Sequence, residues 1–230
     1  MSKYRTNKTE FVDQTNRISF SFDGKTYFGY KGDTLASALI ANGIHLIGRS
    51  FKYHRPRGIM SSGSEEPNAI CQINGNTNLT EPNVRATEIE LYEGLKASSQ
   101  NCWPSVKFDI GGINNLISPF IPAGFYYKTF MWPKSFWKTV YEPLIRYSAG
   151  LGKSPTLPDP DIYDHKHIHC DVLVIGGGIS GIIAAKIAAK NNLKTLLIED
   201  KNILGGSTIY QNNKNFKIEK NNSNDWLDNQ

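Results

Sequence analysis

The sequence predicts an α+β fold in two parts: a β-grasp domain in front and the first βαβ portion of a Rossmann-type α/β domain behind. Three observations carry this. Strand, turn, strand and helix signals follow one another between residues 17 and 43. An apolar strand, a glycine turn, an alanine-rich helix and a second apolar strand follow one another between residues 171 and 199. Between them, residues 104–168 are rich in aromatics and proline and show poor periodicity.

Residues 1–16 are polar and predict a flexible arm. Residues 17–22 (RISFSF) alternate as a strand does, and Asp23-Gly24 tolerates the positive φ of a tight turn. Residues 26–30 (TYFGY) are the return strand. Asp33 or Thr34 supplies the N-cap oxygen of a helix whose apolar stripe is Leu35, Ala38, Leu39 and Ala41, and Gly43 stands where a left-handed cap belongs. Residues 69–73 and 86–92 predict further strands, with Asn74-Gly75 turning after the first. This order fits a ferredoxin-like or ubiquitin-like domain over residues 17–103. Residues 104–168 predict a connector that packs its rings on other domains. A helix signal near residues 135–147 is interrupted by Pro143, and Pro155, Pro158 and Pro160 stiffen the linker. Residues 169–230 hold the Rossmann-type part.

Composition narrows the classes. The net charge of +5 is too mild to demand nucleic acid or an anionic membrane. Cys71, Cys102 and Cys170 are odd in number and far apart, which argues against a disulfide framework and for a reducing, cytoplasmic setting. A signal peptide and a long apolar run are not found.

The segment Gly176, Gly177, Gly178, Ile179, Ser180, Gly181 fits G-x-G-x-x-G. Gly176 permits the tight turn, Gly178 the approach of a diphosphate, and Gly181 close packing of helix on strand. The helix start offers free N–H groups and partial positive charge. Glu199, at the end of the second strand, is placed for an adenine-ribose hydroxyl and disfavours a 2′-phosphate; Asp200 adds to that bias. NAD or FAD is therefore expected over NADP. Gly205 and Gly206 follow the acid and suit a loop passing close to the cofactor. Two strands and a polar tail do not complete a six-stranded sheet, so the sequence reads as a fragment or partial gene product.

Other patterns are weaker. Arg49, Lys52, Arg55 and Arg57 with Phe51, Tyr53 and His54 could stack on and neutralise nucleic acid, but the patch is short, and docking on a neighbouring domain or subunit is the better expectation. His165, His167 and His169 alternate before Cys170, yet a polar lead-in to the strand explains them without a metal. Glu65-Glu66 are adjacent and diverge, so a surface ion pair with the basic loop is expected rather than a proton-transfer pair. Ser180 lacks a nucleophile-elbow context. The aromatic stretch 125–137 has no clean helical face for a membrane surface. No catalytic or metal-binding residue is named.

Several phrases resemble one family. These are residues 32–39 (GDTLASAL), the loop 48–58 (GRSFKYHRPRG), residues 65–69 (EEPNA), 99–101 (SQN), 123–131 (AGFYYKTFM) and 141–143 (YEP). Over residues 17–206 the chain resembles the alpha subunit of heterotetrameric sarcosine oxidase. The resemblance implies NAD bound by this subunit, FAD and FMN elsewhere in the complex, beta, gamma and delta partners, and sarcosine and folate handled at other parts of the assembly. It implies oxidation of sarcosine with oxygen to glycine, hydrogen peroxide and formaldehyde or methylene-tetrahydrofolate. Related amine and opine dehydrogenase subunits carry a [2Fe–2S] cluster in such a front domain. Four thiolates are needed for that, and the cysteine spacing here leads to the expectation of no iron–sulfur cluster.

Overall fold

The structure is a computed structural model. It describes residues 4–6, 12–75, 80–120, 124, 130–148, 150–201, 203–210, 217–218 and 221–222. The chain divides into two compact units, Met1–Pro160 and Asp161–Gln230.

The first unit is built on a five-stranded mixed sheet. β1 (Asp13–Phe22) and β2 (Lys25–Lys31) form an antiparallel hairpin whose turn is Asp23 (φ 48°) and Gly24 (φ 74°). Helix α1 (Leu35–Ala41) follows. Thr34 caps it: its hydroxyl accepts from the Ser37 N–H, and Ser37 Oγ accepts from the Thr34 N–H. A two-residue pair, β3 (Gly48–Arg49) and β4 (Pro56–Arg57), precedes β5 (Ile70–Asn74), β6 (Thr80–Arg85) and β7 (Leu95–Ser99). The sheet order is β2-β1-β7-β5-β6, with β1 and β7 parallel at its centre. Phe20, Phe22, Leu35, Leu39, Ile47, Cys71 and Leu95 form its core.

Two strand boundaries differ from the sequence expectation for physical reasons. Residues 86–92 are not a strand. Their backbone satisfies the helix start instead: Ala86 and Ile89 carbonyls accept from the Ala36 and Leu35 N–H groups, and the Leu91 N–H donates to the Asp33 carbonyl. The strands are β6 and β7. Pro82 hides β6 from sequence reading, yet β6 lies at the sheet edge, where a missing donor costs nothing. β5 ends at Asn74, where the turn was predicted, and residues 76–79 lie outside the described residues.

Three buried carboxylates pin this unit. Asp33, 1% exposed, pairs with Arg5 through both oxygens, at 3.1 and 2.6 Å, and accepts from Tyr30 N–H and Ser37 Oγ. The expected flexible arm is thus anchored at Arg5, and the strand starts at Asp13 rather than residue 17. Asp109 accepts from the Trp103 and Gly111 N–H groups and lies 2.7 Å from His54 Nδ1, tying the basic loop to the segment after β7. Glu66 was expected at the surface. Instead it is 1% exposed and accepts the N–H groups of Met60, Ser61, Asn68 and Ala69 at 2.6–3.1 Å.

The segment after β7 holds a helical turn, α2 (Ile113–Leu116), and later α3 (Glu142–Ser148). Pro143, expected to interrupt a helix here, is the second residue of α3, which runs on to Ser148. A π-helical turn, residues Trp137–Tyr141, runs into it. Trp103, Phe108, Leu116, Phe120, Trp132 and Tyr147 are exposed within this unit. Residues 121–123 and 125–129, part of the expected ring-packing stretch, lie outside the described residues.

The second unit pairs β8 (Val172–Ile175) in parallel with β9 (Thr195–Ile198), joined by α4 (Ile179–Lys190). The α4 side chains Ile182 and Ala188 are buried. Both strands were expected to be buried, but Leu173 is 50% and Ile175 80% exposed. A single helix covers one face of a two-stranded sheet, and alternate residues point to the other. Residues Lys217–Ile218 pair antiparallel with Asn221–Asn222.

Glu66 gives a stability prediction. Burial is the largest influence on its carboxyl and pushes its pKa up, but the four N–H donors outweigh it and hold it below the ordinary value of 4.5. A folded pKa below the unfolded one contributes stability that is present above pH 4.5 and is lost as pH falls through the folded value. Glu66→Ala leaves four buried donors without an acceptor and should cost about 3 kcal/mol at neutral pH. Thermal melts across pH 3–7 should show the wild-type acid slope partly flattened in the variant.

Candidate dinucleotide site

The site is built where β8 turns into α4. Gly176 leaves the strand with φ 101°, a backbone conformation that side chains resist. Its N–H still donates to the Ile198 carbonyl at 2.7 Å, which ties the turn to the end of β9. Gly178 is the N-cap of α4, and Ile179, Ser180 and Gly181 form its first turn, with N–H groups lacking partners inside the helix.

The glycines have separate steric reasons. A Cβ at Gly181 would collide with the Gly176 carbonyl oxygen, so only glycine lets helix and turn pack this closely. A Cβ at Gly177 would meet Leu204 and, at 2.9 Å, Glu199 Oε2. A Cβ at Gly176 or Gly178 would meet nothing within 4 Å. Those two positions border open space, which is where a diphosphate requires room against bare backbone.

Glu199 reaches back from β9 and accepts the Gly177 N–H. Its other oxygen accepts from the Lys201 N–H at 3.1 Å. The hydrogen bond from the Asp200 side chain, and next the one from Gly177, hold Glu199 below the usual carboxylate range; the same pairing pushes Asp200 up. Asp200 itself is exposed. Gly205 and Gly206 close the site on its second side. The Gly205 N–H donates to the Gly177 carbonyl at 2.8 Å, and Gly178 and Gly205 form a parallel bridge. Gly206, with φ 54°, would place a Cβ 3.1 Å from the Gly178 α-carbon.

All ten residues singled out from the sequence therefore fall in the glycine turn, the first turn of α4, the end of β9 and the loop after it. Two contributors were missed. Leu204 packs over Gly177, and buried Thr208 hydrogen-bonds the Gly205 carbonyl through its N–H and its hydroxyl. An isolated Leu and Thr after a Gly-Gly pair give no signal above an ordinary turn. His165, His167 and His169 are exposed, and no group of three or more His, Cys, Asp or Glu among the described residues is placed to hold a metal. No helix among the described residues is long and apolar enough to cross a membrane.

Comparison with known proteins places these features. Residues 15–102 match a 2Fe-2S iron-sulfur cluster binding domain family, and residues 171–225 match the FAD dependent oxidoreductase family. Sarcosine oxidase subunit alpha of Rhizobium meliloti is 54% identical over 209 residues, covering 91% of this chain and 21% of the relative. The same subunit of a Corynebacterium strain, U-96, is 28% identical over 198 residues, 85% of this chain and 16% of the relative. The L-proline dehydrogenase of P. horikoshii shares the fold with a TM-score of 0.50 at 19% identity, covering 96% of this chain and 31% of that one. The chain thus spans about a fifth of the length of the sarcosine oxidase subunit it matches best among these.

The cofactor expectations are corrected by these matches. NAD does not stand as the dinucleotide of this chain, because the matching family over the glycine turn is FAD-dependent. The physical reason is that G-x-G-x-x-G and the following acid read only the ADP half, which NAD and FAD share. The front domain likewise belongs to an iron–sulfur binding kind, against the expectation of no such chemistry. Its own thiols do not fit a four-thiolate set: residues 15–102 contain Cys71 and Cys102. Cys71 is wholly buried in the sheet core, and burial pushes its thiol up to about 12.

With an α+β architecture of an iron–sulfur-type front domain followed by an FAD oxidoreductase portion, and with 54% identity across nine-tenths of its length, the chain is a homologue of sarcosine oxidase alpha subunits.

Proposed function

We propose that this chain supplies the ADP-binding half of an FAD site within the alpha subunit of a sarcosine-oxidising flavoenzyme complex. The observation that carries the reading is the open, side-chain-free border at Gly176 and Gly178 facing the start of α4, with Glu199 at the neighbouring strand end. The Ile179, Ser180 and Gly181 N–H groups would hold the diphosphate, and the Glu199 carboxylate would exchange the Gly177 N–H for an adenine-ribose hydroxyl. Gly205 and Gly206 would keep the following loop against the cofactor without side-chain interference. A bound flavin supplies two-electron acceptance from the C–N bond of an amine.

The overall reaction of such a complex converts sarcosine, oxygen and water into glycine, formaldehyde and hydrogen peroxide; with tetrahydrofolate the one-carbon unit leaves as methylene-tetrahydrofolate. The 54% identity to the Rhizobium subunit supports sarcosine as the amine, and beta, gamma and delta subunits as partners. This chain's own residues bind and orient rather than transfer protons; the site's two carboxylates, Glu199 and Asp200, serve the ribose and each other. A reducing cytoplasmic setting fits the three free cysteines.

Two outcomes are expected. Adding FAD to the purified chain should quench flavin fluorescence with saturation. Gly181→Val should abolish that by forcing the turn open, and Glu199→Ala should weaken it about tenfold, the factor for one lost charge-assisted hydrogen bond. Unchanged titrations in both variants would remove the site. Assembled with the other subunits of a sarcosine oxidase, the chain should support peroxide formation from sarcosine faster than from opines; the reverse preference would reassign the amine.

A further inference from the structure

The basic loop forms a second site, distinct from the glycine turn and independent of the reading above. Residues 49–57 fold as the β3–β4 pair, and a cavity of about 120 Å³ opens beside them. Arg49, Ser50, Phe51, Arg57, Asn68 and Asn101 are among its lining residues, and no carboxylate lines it.

The donors and acceptors around this cavity do not balance. Arg49 is held by carbonyl oxygens alone: Nε and Nη2 donate to Val106, Nη2 also to Lys107, and Nη1 to His54. Its shape is thereby fixed, and among the described residues no carboxylate pairs with it. Arg57 is exposed, and among the described residues nothing accepts from its guanidinium. Ser50 Oγ accepts the Arg55 N–H at 3.0 Å, leaving its hydroxyl hydrogen to be given elsewhere. Asn101 is spent on the Arg49 and Ser50 carbonyls, which holds the floor in place. Of the nearby acids, Glu66 is committed to four backbone N–H groups and Asp109 to His54 and two more, while Glu65 is exposed and does not line the cavity. Two cations and a hydroxyl donor thus face a small cavity without an acceptor of matching charge.

We infer that this cavity binds a small oxyanion, a phosphate or carboxylate group, clamped by Arg57 in the field of the carbonyl-locked Arg49. A guanidinium meets such a group through two parallel N–H bonds, which a rigid neighbour of like charge strengthens by adding attraction without moving. Phe51, 45% exposed, gives the cavity an apolar wall. The volume admits a group of a few heavy atoms.

The test is calorimetric titration of the full chain with inorganic phosphate and, separately, with acetate, at ionic strength held constant with sodium chloride. Saturable heat with either probe is expected, and Arg57→Gln should weaken it about tenfold or more. Stronger phosphate binding assigns a phosphoryl ligand, and stronger acetate binding a carboxylate. Arg17→Gln, which removes a cation stacked 3.7 Å from the Phe28 ring, and Gly181→Val, which forces the glycine turn open, should both leave the affinity unchanged. No saturable heat from either probe, equal binding by Arg57→Gln, or equal loss in Arg17→Gln or Gly181→Val would overturn the inference.

Discussion

The carbonyl of Gly176 lies directly against the α-carbon of Gly181, leaving no room for a methyl group. The rest of the dinucleotide-type unit depends on that contact. It brings the start of α4 onto the end of β8, so that the free N–H groups of the first helical turn and the bare backbone of Gly176 and Gly178 border the same open space. It also places the turn within reach of β9, from which Glu199 accepts the Gly177 N–H, and of the Gly205 N–H, which donates to the Gly177 carbonyl. The bend, the Glu199 contact and the loop after β9, on which the proposed FAD site rests, follow from one steric condition that only glycine meets.

The front unit is organised by a different device. Its apolar core is small, and its loops are held by carboxylates taken out of water and paid in hydrogen bonds. Asp33 fastens the N-terminal residues to the start of α1, Asp109 fastens the basic loop to the segment after β7, and Glu66 gathers four N–H groups of one loop. Each would be expensive if left unpaired, and each is fully engaged. Among the described residues Arg49 and Arg57 have no carboxylate partner, and both line the cavity.

Much of this was legible in the sequence where local chemistry decides the outcome. Asp23-Gly24, the Thr34 cap, Gly43 and the glycine turn each stand in the conformation their residue types favour. The central β1–β7 pairing and edge strand β6 were not legible, because pairing partners far apart in sequence are selected by the sheet. Pro82 also looks like a strand breaker until its edge position is known. Residues 86–92 have strand-like composition but spend their backbone on α1. Glu66 could not be told from its neighbour Glu65 by type; burial and four inward N–H groups separate them. A glycine motif of this kind carries no information on the half of a dinucleotide that separates NAD from FAD, which is why the family match was needed to correct the NAD expectation.

In the proposed function an FAD diphosphate rests on this bend. Amide-resolved NMR of the chain during addition of FAD tests it most directly. The predicted result is a set of saturable shifts at residues 176–181, 199 and 205–206, with the β1–β7 amides unmoved. Shifts that miss the glycine turn, or an unchanged spectrum at saturating flavin, would contradict it.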